Sequence, residues 1–267
     1  MIAPLPTTLT DEECNLFSKL LLQETGIALD KTRQSFLSSR LAKRLPILNL
    51  SSYGDYYRLI SQPENKAERL RVLDLLTTHE TWFFREEKHF EKLRAKALEH
   101  RGSRPFRVWS AACASGEEAH SAAMVLADVF GPASQRWELV ASDISLSGLE
   151  IARHGCYPLA RAKPIPHPLI RKFCLKGIHS QDGKFLVSRQ LRLFKALPDL
   201  PLFDIIFLRN TLIYFKPTAR KHILRAIEPL IALEGFLFVS HTESLQGLDA
   251  HFALVQPGIY RKMEATP

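Results

Sequence analysis

The stretch RVWSAACASGEEAHSAAMVLAD, Arg107 to Asp128, decides how the rest of this sequence is read. It runs from an apolar strand through a loop of small residues into a helix. Small side chains at Ala111, Ala112, Ala114, Ser115 and Gly116 allow a ligand close to the backbone, and the helix opens on two carboxylates, Glu117 and Glu118. A dinucleotide site uses glycines and a helix end free for pyrophosphate, which these glutamates would repel. A cationic, phosphate-free cofactor fits better. S-adenosylmethionine carries a sulfonium and an ammonium group, and carboxylates attract both in a partly dry cleft. A tight strand-to-helix turn with exposed glutamates is the plainer alternative for this segment taken alone.

Outward from this loop, short apolar runs alternate with helices. Phe106 to Ser110, Trp137 to Ser142, Phe203 to Leu208 and Phe236 to Ser240 read as strands, with helices at Glu117 to Phe130, Ser147 to Arg153 and Thr218 to Ile231. The alternation predicts an α/β domain with a mostly parallel, doubly wound sheet that binds ligands at the carboxyl ends of its strands. Asp182-Gly183 beside Lys184 to Val187 predicts a short antiparallel β hairpin, inserted at about 165–195.

Before Arg107 the pattern is helical throughout. Thr10 and Glu13 form a capping-box pair ahead of Leu16, Phe17, Leu20 and Leu21, with Gly26 as a stop. A second helix is expected from Thr32 to Leu45, ending before Pro46, and further helices over Tyr53 to Ile60 and Ala67 to Leu76. A charged helix, Glu86 to Leu98, leads into a polar stretch at His100 to Pro105. The expected organisation is therefore a small all-α domain over 1–85, a linker over 86–105 and an α/β domain over 106–267.

Three further segments carry chemistry. Asp143 ends a strand in WELVASDISLSGLEIAR and is placed to accept hydrogen bonds from ribose hydroxyls, as does an acidic residue about 20 positions after a nucleotide-binding loop. In FDIIFLRNTLIYF, a buried strand ends abruptly in Arg209-Asn210-Thr211, which makes Asn210 and Thr211 candidates for cofactor contacts, with Tyr214 one helical turn on. In LLTTHETWFFREEKHF, the polar residues His79, Thr81 and Arg85 alternate with aromatics, and periodicity alone predicts the start of an amphipathic helix. Helix capping and ordinary packing are the rival readings of all three.

Bulk properties set limits. The chain has 267 residues, 46% hydrophobic and 24% charged, enough for two globular domains. No apolar run approaches the roughly 20 residues of a membrane span, and the first residues do not form a secretory signal, so a cytoplasmic location without membrane insertion is expected. Cys14, Cys113, Cys156 and Cys174 are scattered without a CxxC pair, which predicts reduced thiols and no metal site. A net charge of +8 is compatible with a nucleic acid or with an acidic protein partner.

Taken in order, four motifs resemble those of the bacterial chemotaxis-receptor glutamate methyltransferases. TTHETWFFRE (77–86) is similar to that family's TTNxTxFFRE, SAACASGEE (110–118) to its SAxxSTGEE cofactor loop, ASDIS (141–145) to its ribose-binding strand end and FLRNTLIYF (207–215) to its FCRNVLIYF element. KTRQSFLSSRLAKRL (31–45) resembles its basic helix and VSHTESL (239–245) its GHSE segment. The resemblance spans nearly the whole chain. It implies a Rossmann-like S-adenosylmethionine-dependent methyltransferase domain after a small all-α receptor-recognition domain. It also implies cofactor contacts from His79, Thr81, Arg85, Glu117, Asp143, Asn210 and Thr211. The family has Asn at the position of His79, Thr at Ser115 and Pro-Tyr at Ala119-His120.

The implied partner is the cytoplasmic domain of a methyl-accepting chemotaxis receptor, not a nucleic acid, and a monomer is expected. Arg33, Arg40, Lys43 and Arg44 would steer its acidic helices. Arg85 and Tyr214 are the candidates for orienting the acceptor carboxylate, and no catalytic His or Cys is expected. Two rival functions remain at this point: methylation of RNA or a small molecule, and a binding module that has kept the fold without catalysis.

Overall fold

The structure is a computed structural model that describes residues 8–29, 34–191, 201–248 and 251–264. These fall into two units. One runs to Thr78 and includes the short segments Ile144–Leu146 and Tyr214–Ala219; the other holds the rest, beginning at His79.

The N-terminal unit is helical. Helix α1, Asp11–Thr25, starts at the expected capping box: Thr10 Oγ1 accepts the Glu13 N–H, the Glu13 carboxylate accepts the Thr10 N–H, and Gly26 closes the helix in the left-handed region at φ 77°. The single helix expected over Thr32 to Leu45 is instead two, α2 (Gln34–Leu41) and α3 (Arg44–Ile47). Pro46 supplies the reason. Its ring would clash with the Ala42 carbonyl in a continuous helix, whereas within the first turn of a new one it is tolerated. Helices α4 (Tyr53–Ser61) and α5 (Lys66–Leu76) complete the unit. Phe17, Leu21, Leu37, Leu41, Leu45, Tyr56, Ile60 and Val72 form its core, all fully buried.

At the edge of that core Arg44 donates to both oxygens of Glu68, at 2.9 and 2.7 Å, and the Tyr56 hydroxyl donates to the same carboxylate at 2.6 Å. Burial works against ionisation of Glu68, but hydrogen bonds from Arg44 and Tyr56 outweigh it and hold the carboxyl below its usual range.

The second unit opens with an irregular stretch before α6, Glu87–Glu99. This helix, expected as a linker, belongs to the second unit's core through Phe90, Leu93 and Ala97. Strand β1 (Phe106–Ala111), helix α7 (Glu117–Phe130), strand β2 (Trp137–Ser142) and helix α8 (Leu146–His154) follow as anticipated. A subdomain comes next: β3 (Cys156–Pro158), α9 (His167–Phe173), β4 (Cys174–Lys176) and β5 (Lys184–Val187). Its sheet is antiparallel with order β3-β5-β4, so the expected hairpin is present with a third strand added at the front.

The main sheet resumes with β6 (Phe203–Phe207), α10 (Pro217–Ile227) and β7 (Ile231–Phe238). Helix α10 stops short of its expected end because Pro229 follows, and the strand begins earlier to match. Strands β8 (Phe252–Gln256) and β9 (Ile259–Lys262), not anticipated, close the edge. The order is β2-β1-β6-β7-β9-β8, parallel through β7 and antiparallel beyond it. Helix α7 is buried along most of its length by Ala119, Ala122, Ala123 and Met124, whose small or flexible side chains let it lie close to the sheet. Among the described residues no helix is long and apolar enough to cross a membrane.

Because the Glu68 carboxyl titrates lower folded than unfolded, its contribution is present above the unfolded value of about 4.3 and is lost as the pH falls through the folded one. Arg44→Met is expected to lower stability by about 2 kcal/mol at pH 7. The difference from wild type should begin to shrink below the unfolded value of about 4.3 and go on falling as the pH drops through the lower folded one, which urea denaturation at several pH values measures.

Candidate functional site

The turn from β1 into α7 owes its shape to backbone conformations that side chains rarely adopt. Ala112 has φ 61°, Ala114 φ 49° and Gly116 φ 92°. Glycine is required at the last of these, since a Cβ there would lie 2.4 Å from the Ala152 Cβ. The strained loop is held at the end of β2: Asp143 Oδ2 accepts the Ala114 N–H at 2.7 Å, and the Cys113 N–H donates to the Ser142 carbonyl at 2.9 Å. Cys113 is buried beneath it; desolvation and the nearby Asp143 and Glu118 push its thiol up, so it stays protonated.

Glu117 and Glu118 are both buried in the first turn of α7. As helical neighbours they diverge. Glu117, fully inaccessible, accepts Ser115 Oγ at 2.6 Å and is ion-paired with Arg161. Glu118 accepts Ser110 Oγ at 2.7 Å and Arg209 Nη1 at 3.0 Å. Burial pushes the Glu118 carboxyl up, against the attraction of Arg209.

Arg209 ends the β6 segment and is itself 5% exposed. It also lies 3.2 Å from Glu86 Oε2 and donates to the Arg85 carbonyl. For Glu86, Arg209 and Ser240 outweigh the burial that disfavours its charge, and its carboxyl titrates low. Glu86, His89 and His241 bring potential metal-ligand atoms within 4.8 Å of one another. The Arg209 guanidinium already supplies positive charge there, and burial together with that charge pushes His89 down to about 4, leaving it neutral at pH 7.

These contacts explain why Thr77 to Glu86 is not the helix start that its periodicity predicts. Phe84 and Glu86 adopt φ 55° and 58°, the Phe84 N–H donates to Ser121 Oγ at 3.0 Å, and α6 begins only at Glu87. The result is an irregular, turn-containing segment that carries His79, Thr81 and Arg85, each half-buried, in the second unit. The Arg85 guanidinium lies 4.1 Å over the Trp82 ring and donates to the Glu80 carbonyl. Asn210, at φ 55°, is fixed by Glu243, whose carboxylate accepts the N–H groups of Asn210, Ser240 and Ile213 at 2.9, 2.8 and 3.2 Å. Thr211 Oγ1 donates to the Arg209 carbonyl at 3.0 Å. The second unit thus brings Glu117, Asp143, Asn210 and Thr211 to its strand ends.

Tyr214 lies in the N-terminal unit, where its carbonyl accepts the Ala28 N–H. Of the basic stripe, Arg33 lies outside the described residues. Arg40 and Lys43 are exposed, Arg40 resting over Phe36, while Arg44 is turned to Glu68.

Two family matches divide the chain at the same place as the structure. Residues 12–77 match "CheR methyltransferase, all-alpha domain" and residues 79–260 match "CheR methyltransferase, SAM binding domain". The chain belongs to the CheR methyltransferase family. It is 35% identical to the chemotaxis protein methyltransferase of Escherichia coli, covering 94% of this chain and 91% of that one. The Salmonella typhimurium protein of the same name is 34% identical over 94% and 90% of the two chains, and Pseudomonas aeruginosa chemotaxis protein methyltransferase 2 is 34% identical over 88% and 87%. Membership of the CheR family does not favour the RNA, small-molecule or non-catalytic alternatives.

The cofactor of a CheR domain is S-adenosylmethionine, and the donor set fits it. A fully buried carboxylate at a helix start, a second one at the adjacent strand end and the absence of a phosphate cradle in this loop suit a cation and a nucleoside. Periodicity and motif spacing do not single out the residues that hold these groups in place: Arg209, Glu118, Glu86, Glu243 and Arg161. A charged residue at the end of an apolar strand, as in FLRN, is the one local signal that points to Arg209.

Arg209→Met is expected to cost about 3–5 kcal/mol at pH 7, because it leaves Glu118 and Glu86 buried without their cation. The carboxyls of that variant bind protons more tightly folded than unfolded, so its deficit should shrink between pH 7 and pH 5. Urea midpoints at the two pH values test this.

Proposed function

We propose that this protein transfers the methyl group of S-adenosylmethionine to glutamate side chains on the cytoplasmic helices of a chemoreceptor, forming methyl esters. The observation that carries the reading is the anionic, phosphate-free strand-end site of Glu117 and Asp143 in a chain of the CheR family. S-adenosylmethionine, when bound, supplies a methyl group made electrophilic by its sulfonium. In this reading Glu117 meets its cationic end, Asp143 the ribose, and His79, Thr81, Asn210 and Thr211 complete the enclosure.

The acceptor needs no base. A glutamate carboxylate, with a pKa of about 4.3, is already ionised at pH 7, so the protein contributes placement rather than proton removal. Arg85 is suited to placing it, because its guanidinium is steadied against Trp82 and a planar fork of donors matches a carboxylate. Tyr214 is the second orienting candidate. Holding the reactants in line contributes about 7 kcal/mol or more in favourable cases.

Chemoreceptor cytoplasmic helices place the protein's work in the cytoplasm. Arg40 and Lys43 carry the exposed charge proposed to attract their acidic side chains, since Arg44 is engaged by Glu68.

Incubation with methyl-labelled S-adenosylmethionine and receptor cytoplasmic fragments should yield receptor label released by alkali as methanol; label stable to alkali would exclude a carboxyl ester. Arg40→Glu combined with Lys43→Glu should reduce receptor methylation about tenfold at low salt while leaving cofactor affinity unchanged. Undiminished methylation would remove the steering role.

A further inference from the structure

Glu117 is held by two partners of different character. Ser115, in the loop itself, donates its hydroxyl to Oε2 at 2.6 Å. Arg161 reaches Oε1 from the short helical turn Leu159–Ala162 behind β3, and its side chain is 47% exposed although Glu117 is fully buried. A desolvated carboxylate requires a cation, and the one present arrives on a long side chain with half its surface in water.

The backbone that carries Arg161 is registered against the cofactor loop. Tyr157, on β3, donates its hydroxyl to the Ser115 carbonyl at 2.7 Å, and its ring packs edge-on against Phe83 at 5.1 Å. The absence of a side chain at Gly116 permits this closeness, since a Cβ there would meet Tyr157 Oη at 3.2 Å. Only the side chain of Arg161 has to move for its partner to change.

S-adenosylmethionine carries an ammonium and a carboxylate on the same carbon. If Glu117 receives the cationic end, as the proposed function holds and on which this inference rests, Oε1 cannot also keep the guanidinium. We propose that Arg161 is a cofactor-binding residue: it exchanges Glu117 for the α-carboxylate of the cofactor, and Glu117 exchanges Arg161 for the ammonium. The pair recognises the intact amino-acid end of the donor. Adenosyl compounds that lack that end leave the internal pair undisturbed.

Calorimetry with S-adenosylhomocysteine and with 5′-methylthioadenosine, which has the adenosyl thioether but no amino acid, tests the exchange. Arg161→Ala should weaken S-adenosylhomocysteine binding about tenfold or more while leaving 5′-methylthioadenosine unchanged, and Arg161→Lys should restore part of the loss. Equal weakening of both ligands would show a merely structural role and overturn the proposal. So would equal or tighter S-adenosylhomocysteine binding by Arg161→Ala, the result expected of a simple internal competitor. Glu117→Gln separates the two levels: if it binds S-adenosylhomocysteine as wild type does, the assignment of Glu117 fails and the exchange with it. If Glu117→Gln is weakened and Arg161→Ala is not, only the exchange fails.

Discussion

Two adjacent glutamates buried at the start of one helix must each find a cation, and much of the second unit is arranged around that requirement. Isolated in a dry interior, a carboxylate costs several kcal/mol even after relaxation. Glu117 and Glu118 diverge around α7, so their solutions differ. Glu118 meets Arg209, which is 5% exposed and joined to Glu86 and the Arg85 carbonyl. Glu117 meets Arg161, which is half in water. One pair is fixed and the other exchangeable, and this division follows from the burial of the two arginines rather than from the glutamates.

The fixed pair shapes the backbone as well as balancing charge. Thr77 to Glu86 has the composition of a helix start, yet Arg209 binds the Arg85 carbonyl, and Phe84 and Glu86 take left-handed conformations. Such conformations cost about 1–2 kcal/mol each in residues with a side chain, and here the ion pairs with Arg209 and the burial of Phe83 and Phe84 offset them. Left irregular, the segment carries His79, Thr81 and Arg85 on a stretch of chain without a helical repeat. A helix would have distributed them around its circumference.

The same contrast between local and distant partners decides what is legible in the sequence. The β1 loop, the strand ends at Asp143 and Asn210 and the capping box at Thr10 are legible because each depends on neighbours in sequence. The all-α unit and the parallel sheet are legible through periodicity. The break at Ala42-Lys43 is within reach, since Pro46 marks it, but a proline is compatible both with the end of one helix and with the first turn of another. The inward turn of Arg44 is not legible, because Glu68 is distant in sequence and only the packing of α3 near α5 supplies it. The same holds for Arg209 with Glu118, for Arg161 with Glu117 and for Glu243 with the Asn210 N–H. Strands β8 and β9 escape because their alternation is weak and partly exposed.

A site whose carboxylates are already paired binds a cation by replacement, and that limits affinity in a useful direction. A bare buried glutamate would gain the whole of its lost stabilisation when a positively charged donor arrived, and would resist giving it up. With Arg161 in place, the gain is only the difference between two ion pairs, plus whatever the guanidinium makes of its new partner. Transfer of the methyl group removes the sulfonium charge but leaves the amino-acid end unaltered, so pairing at that end does not by itself distinguish donor from product. The distinction has to come from the sulfur, and in the proposed reading the paired glutamate confines recognition of the amino-acid end to anchoring the ligand.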